Sequence, residues 1–330
     1  MQQQIRKRRR SVGFEHGEHC RHDRADRQAF SGCASNCPAL LIGNGINRYG
    51  APPGANSWEA LLTALARQHI DPQNQGVPQG VSPTEFFDVL ELALHRSPGA
   101  PRSTGHKALQ AQFCELMGQW QPLPQHGHIM RWAQQSQAPV LTTNFEHSLA
   151  QAAGCSLQHC GPSRQAFTAF YPWGRCFAPG PVADPLQAFA IWHVHGMAHY
   201  RQSVRLGLSH YMGAVQRVRG WLTQAGNRLY KPQHMASWPG AHTWLQVFFH
   251  KPLLCFGLGL GENEVFLRWL FIERARYFQR FPERAQPAWF VHVHGSGDLT
   301  PGKALFLQGV GVQPVAVAGH EQVYAAQVWA

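Results

Sequence analysis

The chain reads as an α/β protein: a Rossmann-like, doubly wound parallel sheet carrying a helical insertion. Three observations carry this expectation. Short apolar runs recur along the sequence and end abruptly in glycine or small polar residues, as buried parallel strands do. Stretches with apolar residues at helical spacing lie between them. The 330 residues give ample length for a core of that kind.

Taken in order, residues 1–37 are polar and irregular and are expected to form a disordered basic extension. A single domain is expected over 38–330. Leu40-Leu41-Ile42 predicts a first strand, closed by the glycine turn Gly43-Asn44-Gly45. Glycines there let the backbone approach a ligand closely, and a following helix N-terminus favours phosphate. Asn47 and Arg48 extend the same turn, although no third glycine stands at dinucleotide-fingerprint spacing. Asn56-Ser57 caps a helix whose Trp58, Leu61, Leu62 and Leu65 make a core stripe. Residues 71–83 predict a loop, 84–95 a helix with Phe86, Phe87, Leu90 and Leu94 on one face, and 96–105 another loop. Further helices are expected at 106–119 and 126–136, so a mostly helical insertion spans about 57–136.

Val140-Leu141 then predicts a strand that stops at Thr142-Thr143-Asn144, with Phe145 and Glu146 opening a helix over 145–153. Ligands of open α/β sheets bind just beyond such carboxyl ends, so Thr142, Thr143 and Asn144 stand where a ligand is expected. The same residue types are also good helix caps. Residues 154–187 read as irregular. The strand at 189–196 ends in His193-Val194-His195-Gly196, and period-2 geometry puts both histidines on one face. Arg205–Tyr211 predicts a short strand and turn, and 212–250 is expected to be helical in part, with Trp221 and Trp244 as packing anchors. Residues 252–259 read as a strand with a glycine turn at Gly257 and Gly259, followed by an amphipathic helix from Glu262 to about Phe278. A strand at 287–293 ends in a second copy, His292-Val293-His294-Gly295. A last strand at 312–317 and a closing helix at 319–328 complete the chain.

The formal net charge is +11, while the charged fraction of 14% lies well below the usual ~25%. Arg6, Lys7, Arg8, Arg9 and Arg10 concentrate part of that charge at the start. The run reads as a solvated tail or as an arm that touches nucleic acid or another protein. No aromatic residues interleave it as stacking platforms. Eight cysteines are scattered without a Cys-x-x-Cys pair, which suits reduced thiols and a cytoplasmic location. His16, His19, Cys20, His22, Cys33 and Cys37 form a loose cluster whose spacing matches no standard zinc finger. The basic start is not followed by a secretory apolar stretch, and the longest apolar run, 252–260, is far short of the ~20 residues a membrane helix needs.

The His-x-His-Gly at 193–196 leaves three readings open: a core histidine pair, a two-histidine metal site, or a catalytic histidine beside Asn144. The ordered set of motifs resembles the sirtuin-like domain family. Gly43-Asn44-Gly45-Ile46-Asn47 is similar to that family's Gly-Ala-Gly-Ile-Ser. Thr142-Thr143-Asn144-Phe145-Glu146 is similar to the Thr-Thr-Asn-Tyr-Asp of its bacterial branch. His195-Gly196 matches its catalytic His-Gly, and Gly257-Leu258-Gly259-Leu260-Gly261-Glu262 resembles its late Gly-Tyr-Ser-x-x-Asp. The chain departs from the pattern at Asn47, Glu146 and Gly259, and it lacks the two Cys-x-x-Cys pairs of the zinc module.

That combination resembles the NAD-cleaving branch found in bacterial anti-phage defence. The resemblance implies NAD as substrate, no zinc ribbon and no metal, with release of nicotinamide and ADP-ribose. It implies Asn144 and His195 as catalytic residues. It implies Gly43, Asn44, Gly45, Asn47, Arg48, Thr142, Thr143, Glu146, Gly257, Gly259 and Glu262 around the cofactor. His292 and His294 are then expected to be structural or to lie on the adenine side. The resemblance further implies self-association, or a defence partner such as a translocase-type ATPase or an Argonaute-like protein. Rival readings are a protein deacylase on the same fold, a zinc hydrolase, and a non-enzymatic nucleic-acid-binding or assembly module.

Overall fold

A computed structural model describes residues 37–96, 105–161, 168–223, 229–231 and 238–330. The basic run and the histidines and cysteines before Cys37 lie outside the described residues. The central strand β1 (Ala39–Ile42) pairs in parallel with β2 (Val140–Thr142) on one side and β6 (Leu253–Phe256) on the other. Beyond β2 comes β5 (Ile191–His193), and beyond β6 come β7 (Ala288–Val293) and β8 (Val312–Val317), all parallel. Two antiparallel strands, β3 (Ser156–His159) and β4 (Arg175–Ala178), extend the β5 edge. The sheet order is β3-β4-β5-β2-β1-β6-β7-β8. Counting the parallel strands alone gives 3-2-1-4-5-6, the order of doubly wound α/β sheets, whose switch point falls between β1 and β6.

The central strands β1 and β6 are apolar throughout and fully buried because both faces are covered. Leu40 and Ile42 enter one core with Ile129, Met130 and Phe256. Ala39 and Leu41, alternating with them, enter the opposite core with Trp192, Trp244, Phe248 and Phe249. Period-2 alternation thus divides β1 between two layers. Each buried Leu, Ile or Phe contributes about 1.5–3 kcal/mol, which is why no position in this strand is polar.

After β1 comes a single turn of helix, α1 (Gly45–Arg48). The insertion supplies α2 (Trp58–His69), α3 (Pro83–Arg96), α4 (Gly105–Met117) and α5 (Pro124–Gln135). The first three share a third core of Leu62, Leu65, Phe87, Leu90, Leu109 and Phe113, which Phe145 joins. Phe145 stacks on Trp58 with ring centroids 4.6 Å apart. The insertion is therefore clamped onto the residue that follows Asn144.

That clamp explains one departure from expectation. The helix expected over 145–153 is only α6 (Ser148–Ala152). Phe145 points into the insertion core while Glu146 accepts a hydrogen bond from Asn47, and a non-helical stretch with bends serves both directions. Residues 154–187, expected to be irregular, contain the β3–β4 pair. The strand expected at Arg205–Tyr211 is absent, and α7 (Leu208–Thr223) starts within it, where Asp88 Oδ2 accepts from Leu208 N–H. Then follow α8 (Trp244–His250), α9 (Val265–Arg280) and α10 (Pro301–Gly309). The closing helix shrinks to α11 (Glu321–Tyr324) and a 3-10 turn, Ala326–Val328. That tail folds back from β8 onto α5, where Trp329 meets Trp132 edge-on. Among the described residues no helix is long and apolar enough to cross a membrane, and Cys37, Cys114, Cys155, Cys160, Cys176 and Cys255 are all free thiols.

Candidate active site

Phe256, Ile42, Thr142 and His193 form the last aligned row across β6, β1, β2 and β5. The candidate residues are the next ones along each chain. Gly43 and Gly257 follow β1 and β6 by one position, and Asn144 and His195 follow β2 and β5 by two.

The glycine turn is packed, not open. A side chain at Gly43 would collide with Gly257 O, and a Cβ at Gly45 would lie 2.6 Å from both Gly257 Cα and Tyr324 Oη. Gly43 N–H donates to Phe256 O at 3.0 Å and Gly45 N–H to Gly257 O at 2.8 Å. These two amides are therefore committed to β6. The expectation that the glycines let the backbone approach a ligand is narrowed on this point: with these two amides engaged, the glycines allow two backbones to touch at the switch point.

Around this turn stands a polar network. Asn47 Nδ2 donates to Glu146 Oε1 at 3.0 Å and to Asn44 Oδ1 at 2.9 Å, and Asn44 Nδ2 donates to Asn56 O. Asn47 Oδ1 then faces His126 Nε2 at 2.9 Å, so that nitrogen carries the proton. His126 Nδ1 lies near both Leu123 N and Leu123 O. The 2.9 Å bond from Leu123 N–H is the shorter and fits the same tautomer. Burial pushes the His126 pKa down to about 4, which keeps the ring neutral. Glu146 is buried, and desolvation, opposed by the Asn47 bond, pushes its pKa up to about 7. Its Oε2 has no hydrogen-bond partner. Sequence reasoning missed His126, which α5 brings to the site from the insertion.

Thr142 works as a backbone brace. Its Oγ1 donates to Ile42 O at 2.9 Å and accepts from Asn144 N–H at 3.1 Å. Thr143 N–H also donates to Ile42 O. Asn144 is fully buried; its Nδ2 reaches Gly43 O at a long 3.4 Å, and its Oδ1 has no partner.

The two histidines of 193–196 lie on opposite faces, which corrects the period-2 expectation. Strand β5 stops at His193, so the alternation stops with it. His193 meets Phe177 and His147, while His195 meets Tyr211 and Phe266 from the other layer. His193 Nδ1–H donates to Asn144 O at 2.6 Å and thereby holds the backbone of that residue. Burial, reinforced by His147, pushes the His193 pKa down to about 3, so the ring stays neutral. A two-histidine metal site on one face does not form. Among the described residues no group of three or more His, Cys, Asp or Glu side chains could hold a metal.

His195 is fully buried, and its Nε2 lies 2.9 Å from Glu264 Oε1. The approach is out of line for a hydrogen bond, so both atoms, and His195 Nδ1, lack a hydrogen-bond partner. Gly196 has φ +99°, and a side chain there would strike Ser203 O. Only glycine fits after this histidine. The carboxylate that reaches His195 belongs to Glu264, not Glu262, which is exposed two residues earlier. The signal for it was its position just ahead of the helix that follows the late glycine turn. Gly259 and Arg48 are exposed as well. His292 is half-buried and His294 exposed at the end of β7.

Asn144 Oδ1, Glu146 Oε2, His193 Nε2 and His195 Nδ1 are thus all buried without hydrogen-bond partners. Buried polar atoms are almost always paired, so these four, all at or just past the ends of β2 and β5, stand out as candidates for ligand contact. No protein-family model matches the chain, and a search of curated proteins finds no match either.

Proposed function

We propose that this protein has a Rossmann-like, sirtuin-like fold and cleaves the nicotinamide–ribose bond of NAD. The observation that carries the reading is the pair of orphaned polar groups, Asn144 Oδ1 and His195 Nδ1, at equivalent positions past the neighbouring strands β2 and β5. The adjacent switch point and the ordered sequence motifs support it. In the proposed reaction the bond from C1′ of the ribose to the ring nitrogen breaks, and its electron pair leaves with neutral nicotinamide. Water adds to C1′, and its proton passes to His195. The products are nicotinamide, ADP-ribose and a proton. Asn144 orients the ribose or the attacking water through its amide. Glu146, with a pKa near 7, holds or releases a proton beside Asn47 in the working pH range. Such an activity calls for gating, by self-association or by a partner.

The test is release of nicotinamide from NAD by the purified protein, alone and with an acyl-lysine peptide. Release without peptide supports the hydrolase. Release only with peptide makes the enzyme a deacylase, and no release in either case rejects both. Asn144→Ala is expected to lower the rate by at least about 10²-fold.

A further inference from the structure

We infer that Glu264 is the positioning residue for His195: its carboxylate holds the Nε2 side of the ring, which leaves Nδ1 as the nitrogen that accepts a proton. The inference rests on the NAD-cleaving reading for its chemistry and on the dyad geometry for its structure.

The two atoms lie 2.9 Å apart, with His195 fully buried and the Glu264 side chain 20% exposed. A carboxylate oxygen and a bare imidazole nitrogen both carry lone pairs and repel at that distance. A proton on Nε2 replaces that repulsion with attraction, even with the N–H out of line with the carboxylate. In the neutral ring the remaining lone pair is then on Nδ1, the buried nitrogen without a partner. The ring plane is fixed independently. Tyr211 from α7 meets it edge-on at 5.1 Å and Phe266 from α9 packs at 5.9 Å. The other ionisable groups nearby do not replace Glu264. Tyr211 is held neutral by burial, and the Arg205 guanidinium is engaged by Phe170 O and the Tyr171 ring.

The geometry also spans the sheet. Glu264 leaves the β6 side, and His195 leaves β5, with β1 and β2 between. The loop is shaped for that reach. Glu264 N–H donates to Gly261 O at 3.0 Å, and Arg268 Nη1 holds Leu260 O, a residue at φ +44°. When Nδ1 takes a proton, the carboxylate faces the new imidazolium charge and stabilises it, as acid–imidazole pairs do in hydrolases. The out-of-line contact is what such a pair shows before a substrate tightens it.

The experiment uses the full chain with nitrogen-labelled histidine. Imidazole NMR, with His195→Ala to assign the signal, is expected to show His195 with its proton on Nε2. In Glu264→Gln the His195 pKa is expected to fall, because the imidazolium loses its counter-charge. In the NAD assay the same variant is expected to lose kcat by about 10²-fold or more with KM little changed, and Glu264→Asp to recover part of it. A proton on Nδ1 in the wild type, or an unchanged His195 pKa in Glu264→Gln, overturns the inference. Should Glu264→Gln fail to fold, the wild-type tautomer and the Glu264→Asp titration still decide. The tautomer and pKa are read without NAD turnover, so failure of the NAD reading and failure of the dyad are told apart.

Discussion

The tetrapeptide His-Val-His-Gly occurs twice, at 193–196 and at 292–295, and each copy closes a parallel strand two places from β1. Both end in a glycine with positive φ, +99° and +73°. The positive-φ glycine recurs, but the turn is shifted by one residue: Gly196 N–H donates to His193 O in the first copy, and Ser296 N–H to Val293 O in the second. What surrounds the turns differs. At β5 the antiparallel pair β3–β4 extends the sheet, α7 covers one layer, and the helical insertion closes in through Phe145. His193 and His195 are buried there, whereas His292 is half-buried and His294 exposed. Burial leaves one copy with unpaired polar atoms, while the other remains a solvated strand end.

The sharpest way to break this contrast is by activity. His195→Ala is expected to lower NAD cleavage by about 10²–10⁴-fold. His294→Ala is expected to stay within about twofold, because no buried polar group depends on an exposed ring. Equal losses in nicotinamide release from the two variants would move the site, or spread it across the sheet.

The glycines give a second comparison, read by chemical denaturation. Alanine at either position pays for a left-handed backbone, about 1–2 kcal/mol. At Gly295 a Cβ meets nothing within 4 Å, so that is the whole expected loss. At Gly196 it strikes Ser203 O, backbone that cannot yield cheaply. Gly196→Ala is therefore expected to cost at least about 2 kcal/mol more, in the range of overpacked cores. A Gly196→Ala loss no larger than that of Gly295→Ala would show that the 196–203 turn is soft.

Much of the sheet was legible because buried parallel strands leave a plain mark. Leu40–Ile42, Val140–Leu141 and Leu253–Phe256 are apolar runs cut off by turns, and each is a strand. The antiparallel β3–β4 pair was not legible. Ser156–His159 is mostly half-exposed and alternates weakly, and its partner lies beyond a Pro- and Gly-containing stretch. Asn144, His195, Asn47 and Glu146 could be singled out because strand ends are where polar residues break an apolar pattern. Their partners could not. His126 and Glu264 lie 79 and 69 positions from Asn47 and His195, so only the folded chain brings them together. The facing of His193 was misjudged for a related reason: period 2 holds only while a strand lasts, and β5 ends at that residue.

The smallest expected effect is on the pH dependence of folding, and it belongs to the buried copy. The folded His193 pKa, about 3, is well below the 6.5 of an unfolded histidine. Between those values the unfolded chain binds the extra proton, so stability rises with pH, is complete above about pH 6.5, and is lost as pH falls. His126 and His250, each pushed to about 4 by burial, act in the same direction. Glu146 opposes them, since its raised pKa favours the folded state at low pH and weakens it as pH climbs from 4.5 towards about 7. The total slope therefore mixes both signs, and a variant difference is the cleaner measurement. His193→Asn keeps an N–H donor near Asn144 O but does not titrate. Denaturation from about pH 5 to about pH 7 is expected to show a slope shallower than wild type by up to about 1.4 kcal/mol per pH unit. An unchanged slope would mean that His193 protonates as readily in the folded protein as in the unfolded chain. The closed environment that separates 193–196 from 292–295 would then admit water.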